Sequence, residues 1–481
     1  MTVLESELSG RQVSRSTRFF YGLAGMGSAT VSGIYAALLT IFYQDYLGLP
    51  AHWIGIAFGV YAVWNAINDP IFGQITDRTR SKLGRRIPYM RFTAPFFAVT
   101  FSLVWFAPQH APDVTKFIWM LVTMLLYDTC YTIIGLVHGA LLPELTESDL
   151  ERGRLSISAS IFGLVGTLIG FIIPDFFRPK AGAVSTSLFS LQMSMVAVGI
   201  IAAFLIILTT YKVKEHREFS LVDEPIPLWQ ALKYTLTSKS FIIFVIMNFM
   251  CTFMFSICMG AIYYLADYVT RGSTLTLLAA LFIPLAIGVP LTQLVMKRLE
   301  AVATMRVYLV LTAIGLISLG FLPAGLIPVG IGLVGFGYSG VQVVTYLLLG
   351  QVIDEDEIRT GVRREGSYLG ANALITKPAQ SLAGTLTASI LAAARFVTRE
   401  SNGGVIYLDQ PASALFGIRS IVGIIPGVAL LIAALALQWY PLKGQRLREI
   451  KHTILNMHAD KKMRLDQMDA ADPGLPGGEA A

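Results

Sequence analysis

Long apolar runs constrain this chain more than any other feature. Twelve stretches of about 20 mainly apolar residues follow one another, separated by charged clusters or by proline and glycine. A run of this length crosses the hydrocarbon core as a helix, whereas the strands of a membrane barrel are short and alternate in polarity. The sequence therefore predicts an all-α membrane protein with twelve transmembrane helices, near 19–47, 52–76, 88–107, 117–142, 155–177, 185–211, 241–268, 275–297, 305–323, 327–350, 367–394 and 413–440.

Composition excludes the soluble classes. Hydrophobic residues make up 54% of the 481 residues and charged residues 14%, whereas soluble proteins carry about 25% charged residues. The three cysteines all lie inside apolar runs, which predicts neither a disulfide framework nor a zinc site. The polar start of the chain is not a cleavable signal peptide, because it lacks an apolar core.

The charged segments divide the chain into two sets of six helices. We predict a cytoplasmic N-terminal tail, a first six-helix bundle, a cytoplasmic linker, a second six-helix bundle and a cytoplasmic C-terminal tail, at 1–18, 19–211, 212–240, 241–440 and 441–481.

The distribution of lysine and arginine predicts the orientation. With the N-terminus inside, 29 of the 37 basic residues fall in inside segments, six fall outside, and Lys377 and Arg419 lie within spans. Because positive loops stay in the cytoplasm, both termini are predicted there, in a plasma (inner) membrane protein. The net charge of +6 then faces anionic headgroups and needs no nucleic-acid partner. We expect a monomer.

The loop after the second span, GQITDRTRSKLGRR, resembles the GxxxDRxGRR signature of the major facilitator superfamily. An aspartate near a helix end can pair with arginines, which suits a cytoplasmic gate. We predict a gate that includes Asp77, Arg78, Arg85 and Arg86. The alternative interpretation is an ordinary basic loop.

Four further segments extend the resemblance through most of the chain: WNAINDPIFGQITD, FYGLAGMGS, FYQDYLGL and WYPLKGQRLREI. Together they resemble the melibiose-type glycoside–pentoside–hexuronide:cation symporters, to which sodium-coupled lysophospholipid symporters are related. The resemblance implies the major facilitator fold, no enzymatic activity and no cofactor. It implies symport of a small solute such as a sugar or glycoside derivative with Na⁺ or H⁺. An amphipathic, lysolipid-type solute is the alternative.

Asp69 is the main chemical signal, because a carboxylate deep in a span is costly and indicates function. Asn65 lies one turn earlier on the same helix face. These two side chains could ligate Na⁺, or Asp69 alone could carry a proton. The resemblance implies two cation-site aspartates in this segment, and the first of them is replaced by Asn65. The alternative is a structural aspartate bonded to neighbouring helices.

The fourth span, LLYDTCYTIIGLVHGALLPEL, carries further candidates. Asp128 and Thr132 are four residues apart and share a face. The resembled sugar symporters have a polar residue at the position of Thr132, and the resemblance implies that Asp128 and Thr132 belong to the cation site. The lysophospholipid symporters have an acidic residue matching Asp128, which would replace the charge lost at Asn65. His138 is interpreted as a histidine satisfied by interhelical hydrogen bonds, with a protonatable group as the alternative.

Four positions that hold sugar in the resembled symporters differ here. The resemblance places an aspartate at Gly135, a tryptophan at Gly139, another aspartate at Ala29, and an arginine at Ser156 or Ala159. Sugars need paired donors and acceptors, since each unpaired polar group costs ~1–3 kcal/mol. Gly135, Gly139 and Ala29 thus remain substrate-site candidates, for a more apolar, amphipathic or differently held solute.

Lys377 lies ten residues into the eleventh span and precedes a proline. Its depth requires a carboxylate or an anionic solute as partner, and Asp69 is the partner we name first. The resemblance implies that this lysine links the cation and substrate sites; a snorkelling lysine is the alternative.

The segment IDEDEIRTGVRREGSY ends the tenth span with acidic and basic residues. We predict that Asp354, Glu355, Arg363 and Arg364 form ion pairs in the cytoplasmic gate; a solvated charge cluster is the alternative. A polytopic membrane enzyme is the rival function, but the chain shows no HxxxH cluster, cysteine nucleophile or paired catalytic carboxylates. A channel is less favoured, since no filter loop is evident.

Overall fold

The computed structural model describes residues 13–79, 81, 83–84, 86–145, 149–178, 188–213, 237–360, 365–402, 407–450, 452–453 and 457. Over these residues the chain is helical and has no strand. We number its long helices α1 (Arg15–Thr40), α2 (Ala51–Arg78), α3 (Ile87–Val104), α4 (Asp113–Leu145), α5 (Asp149–Phe177), α6 (Phe189–Lys212), α7 (Lys239–Gly260), α8 (Thr274–Met296), α9 (Ala301–Leu319), α10 (Ile327–Thr360), α11 (Glu365–Thr376 and Pro378–Ala393) and α12 (Ala412–Arg419 and Ile425–Ala436).

Short π-helical or 3₁₀-helical segments extend several of these helices. Helix α1 continues as a π-helical segment over Ile41–Tyr46. Helix α7 continues through Ile262–Tyr264 into a second π-helical segment, Leu265–Thr270. A third, Ser420–Ile424, joins the two parts of α12. Tight 3₁₀ turns occupy Ala324–Leu326, Glu400–Asn402 and Leu437–Trp439.

Ten stretches within the described residues are long and apolar enough to cross a membrane. Helices α2 and α11 are not among them. Polar residues at Asn65, Asn68 and Asp69 interrupt the apolar sequence of α2, and α11 is broken at Lys377. The two helices that depart from an ordinary membrane span are thus those that carry the intramembrane charges Asp69 and Lys377.

The two sets of six helices pack by the same scheme. In the first set α1 packs against α5 and α6, α3 against α4 and α6, and α2 against α4. In the second set α7 packs against α11 and α12, α9 against α10 and α12, and α8 against α10. This repetition is the two-bundle architecture implied by the resemblance. The predicted domain boundaries stay predictions, and most of the predicted linker (214–236) lies outside the described residues.

Glycines allow the closest helix approach within each bundle. A Cβ added at Gly166 of α5 would lie 2.3 Å from the carbonyl oxygen of Met26 in α1. In the second bundle a Cβ at Gly335 of α10 would lie 2.0 Å from the carbonyl oxygen of Leu281 in α8. Both distances are too short for any side chain, so these helix pairs are fixed by small residues.

The bundles meet mainly along α2 and the second part of α11, whereas α5 and α8 contact each other much less. The break in α11 follows from Pro378, which has no backbone N–H to donate and which crowds the preceding turn. It leaves Lys377 at the junction of the two parts, opposite α2.

Candidate functional site

A buried carboxylate lies at the centre of the α2–α4 contact. Asp128 of α4 is 2% exposed. Its Oδ1 accepts hydrogen bonds from Tyr61 at 3.0 Å and Asn65 at 3.5 Å, and its Oδ2 accepts one from Asn68 at 3.1 Å. All three donors come from α2, on successive turns. The sequence-predicted residues Asn65 and Asp128 are therefore neighbours, and Tyr61 and Asn68 join them.

We call the side chains of Asn65, Asn68, Asp69, Asp128 and Thr132 the oxygen cluster. Several of its oxygen atoms lack hydrogen-bond donors. Asn65 Oδ1, Asn68 Oδ1, Asp69 Oδ1 and Thr132 Oγ1 are buried, and no described residue donates a hydrogen bond to them. Thr132 lies one turn after Asp128 on α4, and Asp69 follows Asn68 directly on α2. Buried acceptors without donors are costly and call for water or an ion.

Lys377 forms the ion pair with Asp69 that its depth requires. The Lys377 ammonium contacts Asp69 Oδ2, and their side chains are 27% and 21% exposed. This contact joins α11 of the second bundle to α2 of the first, next to the oxygen cluster. Asn65 and Asp69, predicted to act together, thus have different partners: Asn65 faces Asp128, and Asp69 faces Lys377.

A central cavity of about 280 Å³ lies between the bundles. Its first-bundle wall includes Tyr35, Tyr127 and Tyr131, whose rings stack in series with centroids 4.5 Å and 5.9 Å apart. Its second-bundle wall includes Phe255 and Gln380. None of its described lining residues is charged. Stacked aromatic faces with scattered hydroxyl groups suit a neutral polar ring compound.

The cavity adjoins the oxygen cluster through two residues. Tyr61 lines the cavity and donates its hydroxyl hydrogen to Asp128. Gln380 also lines the cavity and lies one turn after Lys377, whose carbonyl accepts its backbone N–H at 3.0 Å. A change in the position of Asp128 or Lys377 can therefore alter the wall of the central cavity.

A cleft of about 480 Å³ lies in the half of the first bundle nearer the start of α1. Ala29, Gly135 and Ala159 line it, so at least two of the four positions that differ from the resembled symporters face this space, and a third does if the arginine aligns with Ala159. A Cβ added at Gly135 or at Gly139 would meet no atom within 4 Å. The missing side chains thus leave open volume rather than being replaced by neighbours.

His138 is held by hydrogen bonds. Its Nε2 lies 2.9 Å from the Tyr21 carbonyl oxygen, and the Tyr21 hydroxyl donates to the His138 carbonyl at 3.0 Å. The two rings stack with centroids 4.2 Å apart. This reciprocal contact ties α1 to α4 and agrees with the interpretation of a satisfied histidine.

The predicted cytoplasmic gate is only partly described. Arg85, Arg363 and Arg364 lie outside the described residues, as do the side chains of Asp77 and Arg78 in the last turns of α2. The guanidinium of Arg86 is buried and donates to Thr76 at 3.1 Å.

Two acidic residues lie side by side at the end of α10. Asp354 is half-buried. The neighbouring Glu355 accepts hydrogen bonds from Ser240 of α7 and from Arg446, the latter at 2.6 Å. The gate role of all these residues stays a prediction.

A cluster that the sequence did not reveal lies at the opposite end. We call Asp45, Asp175, Arg178, Asp267 and Arg399 the interbundle charge cluster; all five are buried. The Arg178 guanidinium donates to Asp175 at 2.8 Å within the first bundle, and to Asp267 at 2.8 Å and Thr274 at 3.2 Å in the second. Asp45 of the first bundle accepts the backbone N–H of Arg399 at 2.6 Å and the Tyr268 hydroxyl at 2.8 Å.

The charge on Arg178 is firmly held. Burial by itself disfavours the charged guanidinium, but the carboxylates of Asp267 and Asp175 outweigh it, so the pKa of Arg178 is raised well above its ordinary value. The signal for this cluster was an Asp-Tyr pair near the end of both the first and the seventh span. The two Asp-Tyr pairs predict a contact only when the ends of these two spans are known to lie next to each other.

Comparison with known proteins identifies this architecture. A family model described as "MFS/sugar transport protein" matches residues 20–444. The chain belongs to that family. The resemblance to cation symporters is confirmed, and the protein is an integral membrane transporter with the major facilitator fold, not an enzyme.

Individual relatives of this MFS/sugar transport protein agree with the family. The isoprimeverose transporter of Lactiplantibacillus pentosus is 26% identical over 441 residues, which are 90% of each chain. The sodium-dependent lysophosphatidylcholine symporter 1 of Gallus gallus is 21% identical over 490 residues, covering 94% of this chain and 91% of that one. The inward-open structure of the E. coli xylose transporter matches with a TM-score of 0.59 at 13% identity, covering 91% and 98% of the two chains.

Proposed function

We propose that this protein is a Na⁺-coupled symporter of a neutral sugar or glycoside, working by alternating access. The observation that carries the proposal is the oxygen cluster beside the uncharged aromatic cavity. The relatives include an isoprimeverose transporter and a sodium-dependent symporter. The solute would occupy the central cavity and the cation the space among Asp128, Asn65, Asn68, Asp69 and Thr132.

The cluster favours Na⁺ over H⁺ because of the number of its oxygens. A proton needs one carboxylate, whereas a hard metal cation is bound by several oxygen ligands at once. Four buried oxygens without hydrogen-bond donors, one of them from the Asp69 carboxylate, lie in the same cluster as the Asp128 carboxylate, and a small cation would satisfy them.

Lys377 supplies the coupling in this proposal. Without Na⁺ it neutralises Asp69. An entering cation competes for the same carboxylate, so the ammonium is released toward Gln380 and the cavity wall. Solute and cation thereby favour the same arrangement, which is the condition for coupled binding.

Orientation is proposed from the loop charges. With both termini in the cytoplasm, the interbundle charge cluster lies at the external end of the plasma membrane protein and the cleft opens inward. The predicted gate around Asp77, Arg86 and Asp354 would then close the cytoplasmic end in the outward-facing state.

The test is uptake into vesicles containing the purified protein, with isoprimeverose, xylose and methyl glycosides as probes. We expect accumulation driven by an inward Na⁺ gradient and not by a pH gradient at equal Na⁺. Asp69→Asn should abolish accumulation but retain exchange of labelled for unlabelled solute, since exchange needs no net cation movement. Accumulation driven equally by a proton gradient would reject Na⁺ coupling, and full accumulation by the variant would reject the role of Asp69.

An amphipathic solute is the second candidate, because an apolar chamber adjoins the cavity. This chamber of about 160 Å³ shares Thr167, Phe255 and Met259 with the central cavity and extends among Leu281, Leu285 and Val334. Competition by phenyl or octyl glycosides against the methyl glycoside separates the candidates. Stronger competition by the apolar glycosides, lost in Leu285→Trp, would support the second.

A further inference from the structure

The interbundle charge cluster is built twice. The π-helical segments that follow α1 and α7 each contain an Asp-Tyr pair, Asp45-Tyr46 and Asp267-Tyr268. Each partner helix is followed by an arginine: α5 by Arg178 and α11 by Arg399. Since α1 packs on α5 as α7 packs on α11, the two acid–base sets occupy equivalent places in the two bundles.

The pairing is exchanged between the bundles. Arg178 of the first bundle binds Asp267 of the second, and Asp45 of the first binds the backbone of Arg399 from the second. The rings follow the same exchange: Tyr268 donates to Asp45, and the Arg178 guanidinium lies 4.5 Å from the centroid of the Tyr263 ring. Each arm of the cluster therefore exists only while the bundle ends are together.

Because the contacting side chains are buried, the closed arrangement depends on these contacts. The side chains of Arg178 and Asp267 are 1% and 7% exposed. Separating the bundles would not destroy the charges but would return them to water, whereas removing one partner leaves the other buried and unpaired. The closed arrangement thus depends on both members of each arm.

We propose that the interbundle charge cluster is a two-armed latch, one arm Arg178–Asp267 and the other Asp45–Arg399, that holds this end closed. Both arms must open before the central cavity becomes accessible from it. Loss of either arm shifts the protein toward the state open at this end. The latch acts on the conformational equilibrium, whichever solute and ion are carried.

The test measures access to the cavity from outside. Thr387 lines the central cavity, and its hydroxyl donates to the Ala383 carbonyl of its own helix, so Thr387→Cys is a mild reporter. A membrane-impermeant methanethiosulfonate is added to intact cells, and the same protein without the reporter supplies the background. The native cysteines are buried.

We expect Arg178→Gln and Asp267→Asn to raise the labelling rate about tenfold over the reporter alone. Asp45→Asn should act in the same direction through the other arm. The exchange Arg178→Asp with Asp267→Arg should return the rate toward that of the reporter. Arg271→Gln is the matched control: it removes an exposed arginine after α7 whose guanidinium contacts Leu408 and Asp409 of the second bundle.

Thr274→Val covers the case in which the charge variants fail to fold. It removes one hydrogen bond to Arg178 and one to Asp175, and keeps every charge. We expect a smaller increase in labelling, at an unchanged gel-filtration profile. An unchanged labelling rate in folded Arg178→Gln and Thr274→Val, or an equal increase in Arg271→Gln, would overturn the latch.

Discussion

Lys377 and Asp69 place two opposite charges in the helices along which the bundles meet. A charge at the centre of a membrane helix costs roughly 2.5–3.5 kcal/mol on insertion scales. Each residue is therefore tolerated because of the other. The fold therefore requires that Asp69 and Lys377 are paired, whereas transport requires the Asp69 carboxylate itself.

The first prediction tests this pairing by a double-mutant cycle. Lys377→Ala should lower the melting temperature, because Asp69 is left without its partner. Adding Asp69→Asn to that variant should recover part of the loss without restoring accumulation. The melting temperatures of the wild type, both single variants and the double variant give the coupling. Strictly additive shifts would show that the two residues do not interact.

The second prediction concerns Asp128. Asp128→Ala should raise the half-saturating Na⁺ concentration at least tenfold and change that of the solute less, since Asp128 is the charge beside the unpaired oxygens. Introducing Asn65→Asp into this variant should lower the Na⁺ requirement again, because Asn65 lies 3.5 Å from Asp128. Equal changes for ion and solute would contradict a cation role.

Individual residues of the candidate site were easier to single out from the sequence than their contacts. Asp69, Asp128 and Lys377 stand out because charges are rare in apolar runs, and helix geometry placed Asn65 and Thr132 on their faces. Asn68 was missed, because nothing in the WNAINDP motif marks it as a residue that contacts Asp128. In the sequence Arg178 is only one of the six basic residues predicted outside the membrane, because its burial depends on contacts with Asp267 and Thr274, far away along the chain.

Helices α1 and α5 show how a whole element is positioned by the absence of side chains. Gly166 and Gly170 both face α1, and a Cβ at Gly170 would lie 2.4 Å from the Thr30 carbonyl oxygen. The length of the apolar runs predicted that these helices exist but not which of them touch. The π-helical segments were likewise unpredictable, since neither their apolar residues nor the Asp-Tyr pairs in two of them distinguish a wider turn from an ordinary one.

The third prediction compares two glycines of α5. Gly166→Ala should destabilise the protein by about 1–3 kcal/mol, the usual cost of overpacking, because its Cβ overlaps the Met26 carbonyl oxygen. Gly163→Ala is the matched control, with no atom within 4 Å of its Cβ. It should be neutral or slightly stabilising. Thermal unfolding of both in one detergent provides the comparison, and equal melting temperatures would contradict the tight α1–α5 contact.

The whole molecule is asymmetric about the central cavity. Helices α2 and α11 meet closely while α5 and α8 do not, so the bundles are joined along one side and at the end that holds the interbundle charge cluster. The division into two sets of six was readable from apolar runs and loop charges. The relative tilt of the two bundles could not be read from the sequence, because one sequence populates conformations that differ in this tilt.

The fourth prediction fixes this state covalently. A Cβ at Gly55 of α2 would lie 3.4 Å from Cγ2 of Thr385 in α11, close enough for a disulfide. Oxidation of the variant carrying Gly55→Cys and Thr385→Cys should abolish uptake, and reduction should restore it. Each single-cysteine variant, treated identically, is the control. Full uptake by the cross-linked protein would show that this contact persists throughout the cycle.

The duplicated acid and base also bear on ancestry. The first bundle carries both Asp45 and Arg178, and the second carries both Asp267 and Arg399. Each half is therefore complementary to a second copy of itself as well as to the other half. Two identical six-helix units related by a twofold axis could form both contacts at once, as the isologous interface of a homodimer requires. The acidic and basic residues that now lie where the two halves of one chain meet are those that an unfused dimeric ancestor would have needed.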